Sequence, residues 1–518
     1  MRRANTAANA TALPPFLLGV LTENGKYLAA NDLALYLYSH VFLPACISGP
    51  SSYQRPADMN AAPLGWRAHI LMNLRLAAPL IIGQLATIGI WTSDVVAMGN
   101  LDTTSLAAGS LAARYFQPMF FLALGISLAV GPLVAQGLGA GDQRQVRRAF
   151  RQGLVIAATL GMATIPLLFI GEEVLILIGQ DPELARLAKP FLLWSGFGMP
   201  FMFVAFVLRQ FLISYERPVP QVIAVIITLI INIGLNEVFA KGLGPALEMG
   251  LAGIALATSI SYFLLAVGLV VYIGTTSPFS DGEPFRRIWV MDWAITLRLL
   301  RIGVPIGLTI VAEAGMFIAA TLMIGLFGTA SLSAAAIANQ ISAIAFMIPI
   351  AMATASTIRI GHYAGAEDRA NLFRSAGSTM VIAIAATMLT TAILLIWPEF
   401  LVGLFLDHDD PLFAEVMYVA VPLMLLTALY QVPDGVQAIA ISVLRGVNDT
   451  RLPGLIAIAS FWIPGIALGA VLGFAFEWGA VGVWSGLAIG LSVAAMLLTL
   501  RMMLALRRIR AGGHILSA

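Results

Sequence analysis

From Leu74 onward, long apolar runs alternate with short polar stretches along the chain. Each run holds about 20 or more residues, which is the length that an α-helix needs to cross the hydrocarbon core of a bilayer. We therefore predict an all-α polytopic membrane protein with twelve transmembrane helices. The predicted helices cover residues 74–98, 106–137, 147–170, 186–214, 218–240, 249–275, 298–326, 332–362, 372–396, 412–443, 453–475 and 480–505.

The composition agrees with this pattern and narrows the function. Of the 518 residues, 59% are hydrophobic and 11% are charged, whereas soluble domains carry about 25% charged residues. The only cysteine, Cys46, excludes a disulfide framework or a cysteine-based metal cluster, and the five histidines are too scattered for a His-rich metal site. The chain contains no phosphate-cradling loop, HExxH motif or nucleophile motif. We expect no cofactor and no nucleic-acid partner.

The charges of the loops predict the orientation in the membrane. Arginines crowd one set of loops, which includes GAGDQRQVRRAFRQ and RIGHYAGAEDRANLFR, whereas the other set includes GEEVLILIGQDPE and PEFLVGLFLDHDDP. Basic loops stay in the cytoplasm. Both termini are therefore predicted to be cytoplasmic, which requires an even number of spans, and we expect a multi-pass protein of a bacterial inner membrane.

The two halves of the chain repeat each other at an offset of 226 residues. At this offset Pro79 matches Pro305, Gly139 matches Gly365, and TTSLAA matches TASLSA. Six spans per half make the repeat parallel, and such folds bind substrate between their halves. The predicted organisation is an N-terminal extension (1–70), weakly ordered or interfacial, a six-helix lobe (71–277), a cytoplasmic linker (278–297), a second six-helix lobe (298–506) and a cytoplasmic tail (507–518).

Three acidic residues lie where a lipid-embedded chain rarely has them. Asp94, Glu313 and Asp434 are each the only acid in a long apolar run. A charged group at the bilayer centre costs about 3 kcal/mol or more, so it usually faces a cavity and marks a pathway for ions or substrate. The alternatives are a helix-end acid for Asp94, a permanently neutral structural residue for Glu313 and a polar kink at Asp434. Ion or proton handling is the first hypothesis.

Polar neighbours support this hypothesis. Asn232 and Asn236 are four residues apart, so they share one helix face and can meet a carboxylate on a facing helix. Their alternative role is hydrogen bonding between helices. Pro433 precedes Asp434 and cannot donate to the Leu429 carbonyl, and the glutamines at 431 and 437 flank it on roughly one face. Such a face suits cation coordination or hydrogen bonding to a substrate.

The chain resembles the multidrug and toxic compound extrusion (MATE) transporters, and within them the bacterial NorM-like branch. The resemblance covers about residues 72–505, and it rests on AAPLIIGQLATIGIWTSDVVAMGNL, VGPLVAQGLGAGD, LRQFLISYERPVPQ, NIGLNEVF, GLAGIALATSIS, GVPIGLTIVAEAGMF and YQVPDGVQAIAISVLRGVNDTRLP. It implies two six-helix lobes around a central cleft, and antiport in which an organic cation or drug leaves as Na⁺ or H⁺ enters. We expect a monomer in the lipid bilayer.

The resemblance also implies roles for particular residues. Asp94 corresponds to the functional acid of the first lobe, with Asn232, Asn236 and Thr258 around it. Glu313 corresponds to the functional acid of the second lobe, and Asp434 to its partner within that lobe. Gln431, on the polar face beside Asp434, is a further candidate from the spacing alone. Glu313 and Asp434 are the candidates for binding Na⁺.

Two other functions remain open at this stage. A lipid-linked oligosaccharide flippase of the same superfamily would also have repeated six-helix halves, but it should carry basic residues in its cavity to bind a pyrophosphate. The acidic intramembrane residues favour a cationic cargo instead. An integral membrane enzyme would need a catalytic histidine, serine or metal cluster near one face, and the sequence shows none.

Overall fold

The fold consists of helices that run back and forth across the molecule. The computed structural model describes residues 64–242, 248–406 and 412–516. Twelve of its helices are long and apolar enough to cross a membrane, which confirms the twelve predicted spans. They are α1 (Trp66–Gly99), α2 (Thr103–Gly139), α3 (Gln143–Phe169), α4 (Pro182–Ser214), α5 (Val219–Lys241), α6 (Leu251–Thr275), α7 (Trp293–Gly325), α8 (Thr329–Gly365), α9 (Arg369–Ile396), α10 (Phe413–Gly446), α11 (Arg451–Ala475) and α12 (Gly479–Arg510).

Prolines affect these helices unequally. In α2 the helix is interrupted at Ala129, three residues before Pro132, and continues as Val130–Gly139. In α11, Pro464 lies within the wide π-helical turns Phe461–Ala467. By contrast, α10 stays helical past Pro433. The loss of one backbone hydrogen bond at Pro433 therefore does not break α10 beside the acidic residue that follows.

Each lobe has its own hydrophobic core, but the two lobes exchange half a helix. Leu76 and Leu80 of α1 lie in the core of the second lobe. Ile302 and Ile306 of α7, at the same positions of the repeat, lie in the core of the first lobe. Accordingly, α1 packs against α8 while α7 packs against α2. This reciprocal packing is what a parallel repeat around one axis produces.

The lobes meet at the end of the bundle that holds the loops after α2, α4, α6, α8 and α10, called here the arginine-rich end. A Cβ atom added to Gly139 would lie 2.0 Å from the His362 carbonyl oxygen, and one added to Gly365 would lie 2.0 Å from the Gln136 carbonyl oxygen. Two backbones can approach this closely only where both positions lack a side chain. The last turns of α2 and α8 are therefore in direct contact.

Hydrogen bonds across the lobes repeat the same reciprocity. Gln136 Nε2 of α2 donates to the Gly446 carbonyl oxygen at the end of α10, at 2.9 Å. His362 Nε2 of α8 lies 2.7 Å from the Ser214 carbonyl oxygen at the end of α4, to which it donates. Gln136 and His362 are 226 residues apart. We call these two contacts the paired latches, and they join the two lobes at the arginine-rich end.

The first helix begins earlier than the sequence pattern predicts. It starts at Trp66, inside the segment 1–70 that was expected to precede the first lobe. The reason is tertiary: His69 and Asn73 are buried, and the Asn73 amide donates to Ser378 (2.9 Å) and Thr379 (2.8 Å) of α9. Residues 1–63, on which the rest of that expectation falls, lie outside the described residues. Between α6 and α7 the connecting segment is residues 276–292.

Candidate functional site

In the first lobe, the structure brings together the four residues that the sequence singled out. Asp94 Oδ1 accepts hydrogen bonds from Asn236 Nδ2 (2.9 Å) and Asn232 Nδ2 (3.2 Å), and Asp94 Oδ2 accepts one from Thr258 Oγ1 (2.7 Å). Asn232 also donates to Thr258 (2.9 Å). Ser93, which the sequence interpretation omitted, accepts from Asn236 at 3.2 Å. Three helices, α1, α5 and α6, thus converge on one carboxylate.

This first cluster is closed and well supplied with hydrogen-bond donors. Asp94, Asn232 and Asn236 are buried. The four-residue spacing of the asparagines places both amides on the face of α5 that meets α1, as predicted. Hydrogen bonds to a charged acceptor stabilise it by about 1.5–3 kcal/mol each. The cluster can therefore hold a carboxylate, or a carboxylate with a small cation, away from water.

In the second lobe, the two predicted acidic residues share one donor. Gln437 Nε2 donates to Asp434 Oδ1 at 2.8 Å and to Glu313 Oε1 at 3.2 Å. Glu313 belongs to α7, whereas Asp434 and Gln437 lie one turn apart on α10. Gln437 Oε1 is buried and has no hydrogen-bond partner among the described residues. This pair of carboxylates, with Gln437 between them, is called the bridged pair below.

Gln437, rather than the predicted Gln431, makes the bridge. Both glutamines are buried, but neither polar atom of the Gln431 side chain has a hydrogen-bond partner among the described residues. The sequence offered both because each lies three residues from Asp434. The rotation of α10 about its axis decides which of the two glutamines faces α7. Their spacing along the sequence does not fix that rotation.

The structure also corrects the charge picture in the second lobe. Along the chain Glu313 has no basic neighbour, but the guanidinium group of Arg445 on α10 lies within electrostatic range of it. Arg445 Nε is buried without a hydrogen-bond partner in the described part of the chain. A Leu-Arg pair occurs near the same end of α4 (Leu208-Arg209) and of α10 (Leu444-Arg445), at an offset that has drifted from 226. This shared pair was the sequence signal that could have pointed to Arg445.

Buried charges within the spans are therefore not all acidic. Arg209 donates from Nε to Gln221 Oε1 at 2.9 Å, and Arg359 donates to Asn73 Oδ1 at 2.6 Å and to the His69 carbonyl oxygen at 3.1 Å. Arg359 is fully buried and connects α8 to α1. These arginines have protein partners at the arginine-rich end of their helices, so they hold helices together there.

Conventional metal centres are absent from the described residues, where no three or more His, Cys, Asp or Glu side chains form a group that could hold a metal ion. Each lobe instead has a small group of buried carboxylates and hydrogen-bond donors. The first lobe has one carboxylate with three donors, and the second has two carboxylates with one shared donor. The second arrangement has fewer donors than its oxygens can use, so it is the better place for a proton or a monovalent cation.

A twelve-helix membrane bundle with repeated lobes and buried acidic clusters has the architecture of a transporter, and comparison with known proteins agrees. The MatE family model matches residues 79–238 and again residues 305–471, so its two copies start 226 residues apart. The chain therefore belongs to the MATE family of transporters, in the bacterial NorM-like branch.

Named relatives and solved structures support this assignment. The chain is 36% identical over 443 residues to the probable multidrug resistance protein NorM of Agrobacterium fabrum, covering 86% of this chain and 95% of the relative. It is 38% identical over 428 residues to the protein of the same name from Pseudomonas aeruginosa, covering 82% and 88%.

Solved structures show the same fold. A multidrug resistance MATE family transporter in an outward-facing conformation superposes with a TM-score of 0.78 at 19% identity, over 87% of this chain and 100% of the other. The eukaryotic MATE transporter AtDTX14 gives a TM-score of 0.77 at 20% identity with the same coverage.

Proposed function

We propose that this protein is a multidrug efflux antiporter, driven by Na⁺ or H⁺, that exports organic cations across a bacterial inner membrane by alternating access. The observation that carries the proposal is the bridged pair: Glu313 and Asp434, on different helices, share a single amide donor inside the membrane region. The proposed transport needs no cofactor, because the charges that change during the cycle are those of the coupling ion and the drug.

The chemistry of coupling follows from charge repulsion. Two carboxylates that share one site repel each other when both are charged, so a proton or Na⁺ between them is stabilised. If the ion leaves, the uncompensated negative charge attracts a cationic drug. The Arg445 guanidinium within electrostatic range balances part of this charge. Ion and drug are coupled when they compete for this charge or favour opposite-facing states.

Alternating access is supported by where the lobes touch. The paired latches and the contacts of Gly139 and Gly365 all lie at the arginine-rich end. The loop charges predict that this end faces the cytoplasm, with both termini on that side. On this reading, the conformation is closed to the cytoplasm. Rocking of the two lobes about their exchanged helix halves would open it, in the manner of parallel-repeat transporters.

The cargo class rests on the acidic clusters and on the relatives rather than on the fold. A transporter from Pyrococcus furiosus that shares the fold, with a TM-score of 0.77 at 18% identity, is described as having a binding pocket of reverse polarity and a different function. Here both clusters centre on carboxylates, and the relatives are named for multidrug resistance. Organic cations fit such a charge pattern. We propose that one chain, acting as a monomer, contains the full pathway.

The decisive experiment measures transport in everted membrane vesicles. Uptake of a fluorescent organic cation such as ethidium is followed after an imposed Na⁺ gradient and, separately, after an imposed pH gradient. Glu313→Gln and Asp434→Asn should abolish uptake while the protein still inserts. The matched control is Glu415→Gln, an exposed acid at the start of α10, which should transport normally. If neither gradient drives uptake by the unmodified protein, the antiporter proposal fails.

A further inference from the structure

A basic cleft lies at the arginine-rich end, outside both acidic clusters. It has a volume of about 630 Å³ and forms between the start of α3 and the segment that leads into α7. Six arginines line it: Arg144, Arg147, Arg148, Arg151, Arg286 and Arg287. The proposed transport mechanism gives this cleft no role. A concave surface lined by so many guanidinium groups is suited to binding an anion.

The acids of the protein neutralise only part of this charge. Glu283 contacts Arg286 at 2.6 Å and Arg147 at 3.8 Å, and Asp292 contacts Arg148 at 3.6 Å. The hydrogen bond from Arg286 lowers the pKa of Glu283, so that carboxylate is already committed to its arginine. Two acids thus face six arginines, and the cleft keeps a net positive charge.

Three arginines retain unused donors. Neither Arg144 nor Arg287 has an acidic group within 4.0 Å in the described ranges of the chain. Arg151 is only 9% exposed, and its Nη1 donates to the Arg286 (2.8 Å) and Arg287 (3.0 Å) carbonyl oxygens. Its buried Nε has no partner among the described residues. Arginine forks of this kind match phosphate oxygens in geometry and charge.

Apolar side chains beside the arginines indicate that the ligand also has a hydrocarbon part. Trp289 is 79% exposed, Trp293 is 66% exposed, and Val290 and Met291 are also exposed. Tryptophans favour the level of the lipid headgroups, and basic pockets on the cytoplasmic side of transmembrane helices bind lipid head groups. A free phosphate would use the arginines but would leave these apolar groups uncovered.

In the second half of the repeat, the arginines at the equivalent place already have hydrogen-bond partners within the protein. Arg369, which matches Gln143, donates to the carbonyl oxygens of Ile509 (2.8 Å) and Gly513 (3.3 Å) in the C-terminal segment. Arg374, which matches Arg148, donates to the Leu64 carbonyl oxygen. At the start of α9 the protein's own backbone thus satisfies the arginines, whereas the start of α3 faces an open cleft.

We propose that this cleft binds the phosphate headgroup of an anionic diacyl phospholipid from the leaflet that borders the arginine-rich end. The free guanidinium groups of Arg144 and Arg287 contact the headgroup oxygens, and Arg151 supports the cleft from beneath. The acyl chains extend along Trp289 and Trp293 into the membrane. The lipid would then hold the linker between the lobes against α3.

The test uses the purified full-length chain and native mass spectrometry with dioleoyl phosphatidylglycerol. Dioleoyl phosphatidylcholine, which is zwitterionic and has no net charge, is the comparison. Each arginine near an anionic lipid surface contributes about 1 kcal/mol, so Arg144→Gln with Arg287→Gln should weaken phosphatidylglycerol binding about thirtyfold. Arg144→Lys with Arg287→Lys keeps the charge and should retain most of the binding. The matched control is Arg507→Gln with Arg510→Gln, two exposed arginines at the end of α12, which should leave the affinity unchanged.

Each outcome decides the proposal. Preference for phosphatidylglycerol over phosphatidylcholine, lost in the cleft variant alone, supports it. Equal binding of the two lipids, or an equal loss in the cleft and α12 variants, overturns it, because the attraction would then be general. An excess of inorganic phosphate that fully displaces the lipid also overturns it, since the cleft would then be a free-phosphate site. None of these measurements depends on transport.

Discussion

The contact of Gly139 with the α8 backbone and of Gly365 with the α2 backbone should control which end of the transporter is open. Replacing both glycines by alanine places each new Cβ 2.0 Å from a carbonyl oxygen of the opposite lobe. Carbon and oxygen atoms approach no closer than about 3.3 Å even in favourable contacts. Because the obstructing atoms belong to the backbone, α2 and α8 have to separate by more than 1 Å.

That separation should break the paired latches. The Gln136 to Gly446 hydrogen bond of 2.9 Å and the His362 to Ser214 hydrogen bond of 2.7 Å cannot survive it. A typical hydrogen bond contributes about 1 kcal/mol, so the closed form loses about 2 kcal/mol. The population ratio of closed to open forms at the arginine-rich end should therefore fall about thirtyfold.

Double electron–electron resonance can measure this change in lipid nanodiscs. Spin labels are placed at Arg217 of the first lobe and Arg507 of the second, both exposed at the arginine-rich end, after Cys46 has been replaced by alanine. The double alanine variant should add a population with a longer distance between the labels. Gly234→Ala with Gly268→Ala is the matched control, because a Cβ at either position meets nothing within 4 Å. An unchanged distance distribution in the Gly139 and Gly365 variant would refute the reasoning.

Three further predictions concern the buried polar groups. Gln437→Leu removes the only described donor to both carboxylates, so the ion concentration that gives half-maximal transport should change about tenfold or more. Gln431→Leu should change this concentration little. Equal changes for the two variants in vesicle assays would contradict the bridge. Asp94→Asn keeps a carbonyl oxygen for the amides of Asn232 and Asn236 but turns an amide donor toward the Thr258 hydroxyl, which donates to the second carboxylate oxygen. The loss of that bond and of the charged acceptor should lower the free energy of unfolding by about 2 kcal/mol in denaturant melts, and unchanged stability would contradict this role of the carboxylate. Arg359→Met leaves the Asn73 oxygen without its donor and removes the 3.9 Å contact with Glu216, which follows α4. It should therefore lengthen the distance between spin labels at Arg217 and Arg507, an effect that would be missing if Arg359 only filled space.

The sequence predicts the fold because bilayer thickness leaves little freedom. Apolar runs of about 20 residues must be helices, since every backbone polar group in lipid needs an internal partner. The helix ends are less predictable. Residues Trp66 to Asn73 contain polar side chains, yet they extend α1 because His69 and Asn73 are paired with α8 and α9. Such pairing is a property of the assembled lobes and leaves no periodic signal.

The candidate site was predictable to the extent that spacing on one helix fixes it. Asn232 and Asn236 meet Asp94 because four residues return to the same face of α5. The bridge made by Gln437 and the proximity of Arg445 to Glu313 depend on the rotation of α10 against α7. No local pattern records that rotation, so the contacts could be assigned only once the two helices were placed.

The reciprocal contact between α2 and α8 has an evolutionary consequence. In an isologous interface, residue i of the first unit contacts residue j of the second, and residue j of the first contacts residue i of the second. A twofold-symmetric homodimer has such an interface. Here Gly139 meets His362 while Gly365 meets Gln136, within one chain. A half-length ancestor with six helices could therefore have paired with its own copy, both inserted in the same direction. Because both lobes belong to one chain, each can carry its own polar residues: the position that matches Asp94 is Ala320, so the acidic sites differ although the scaffold is shared.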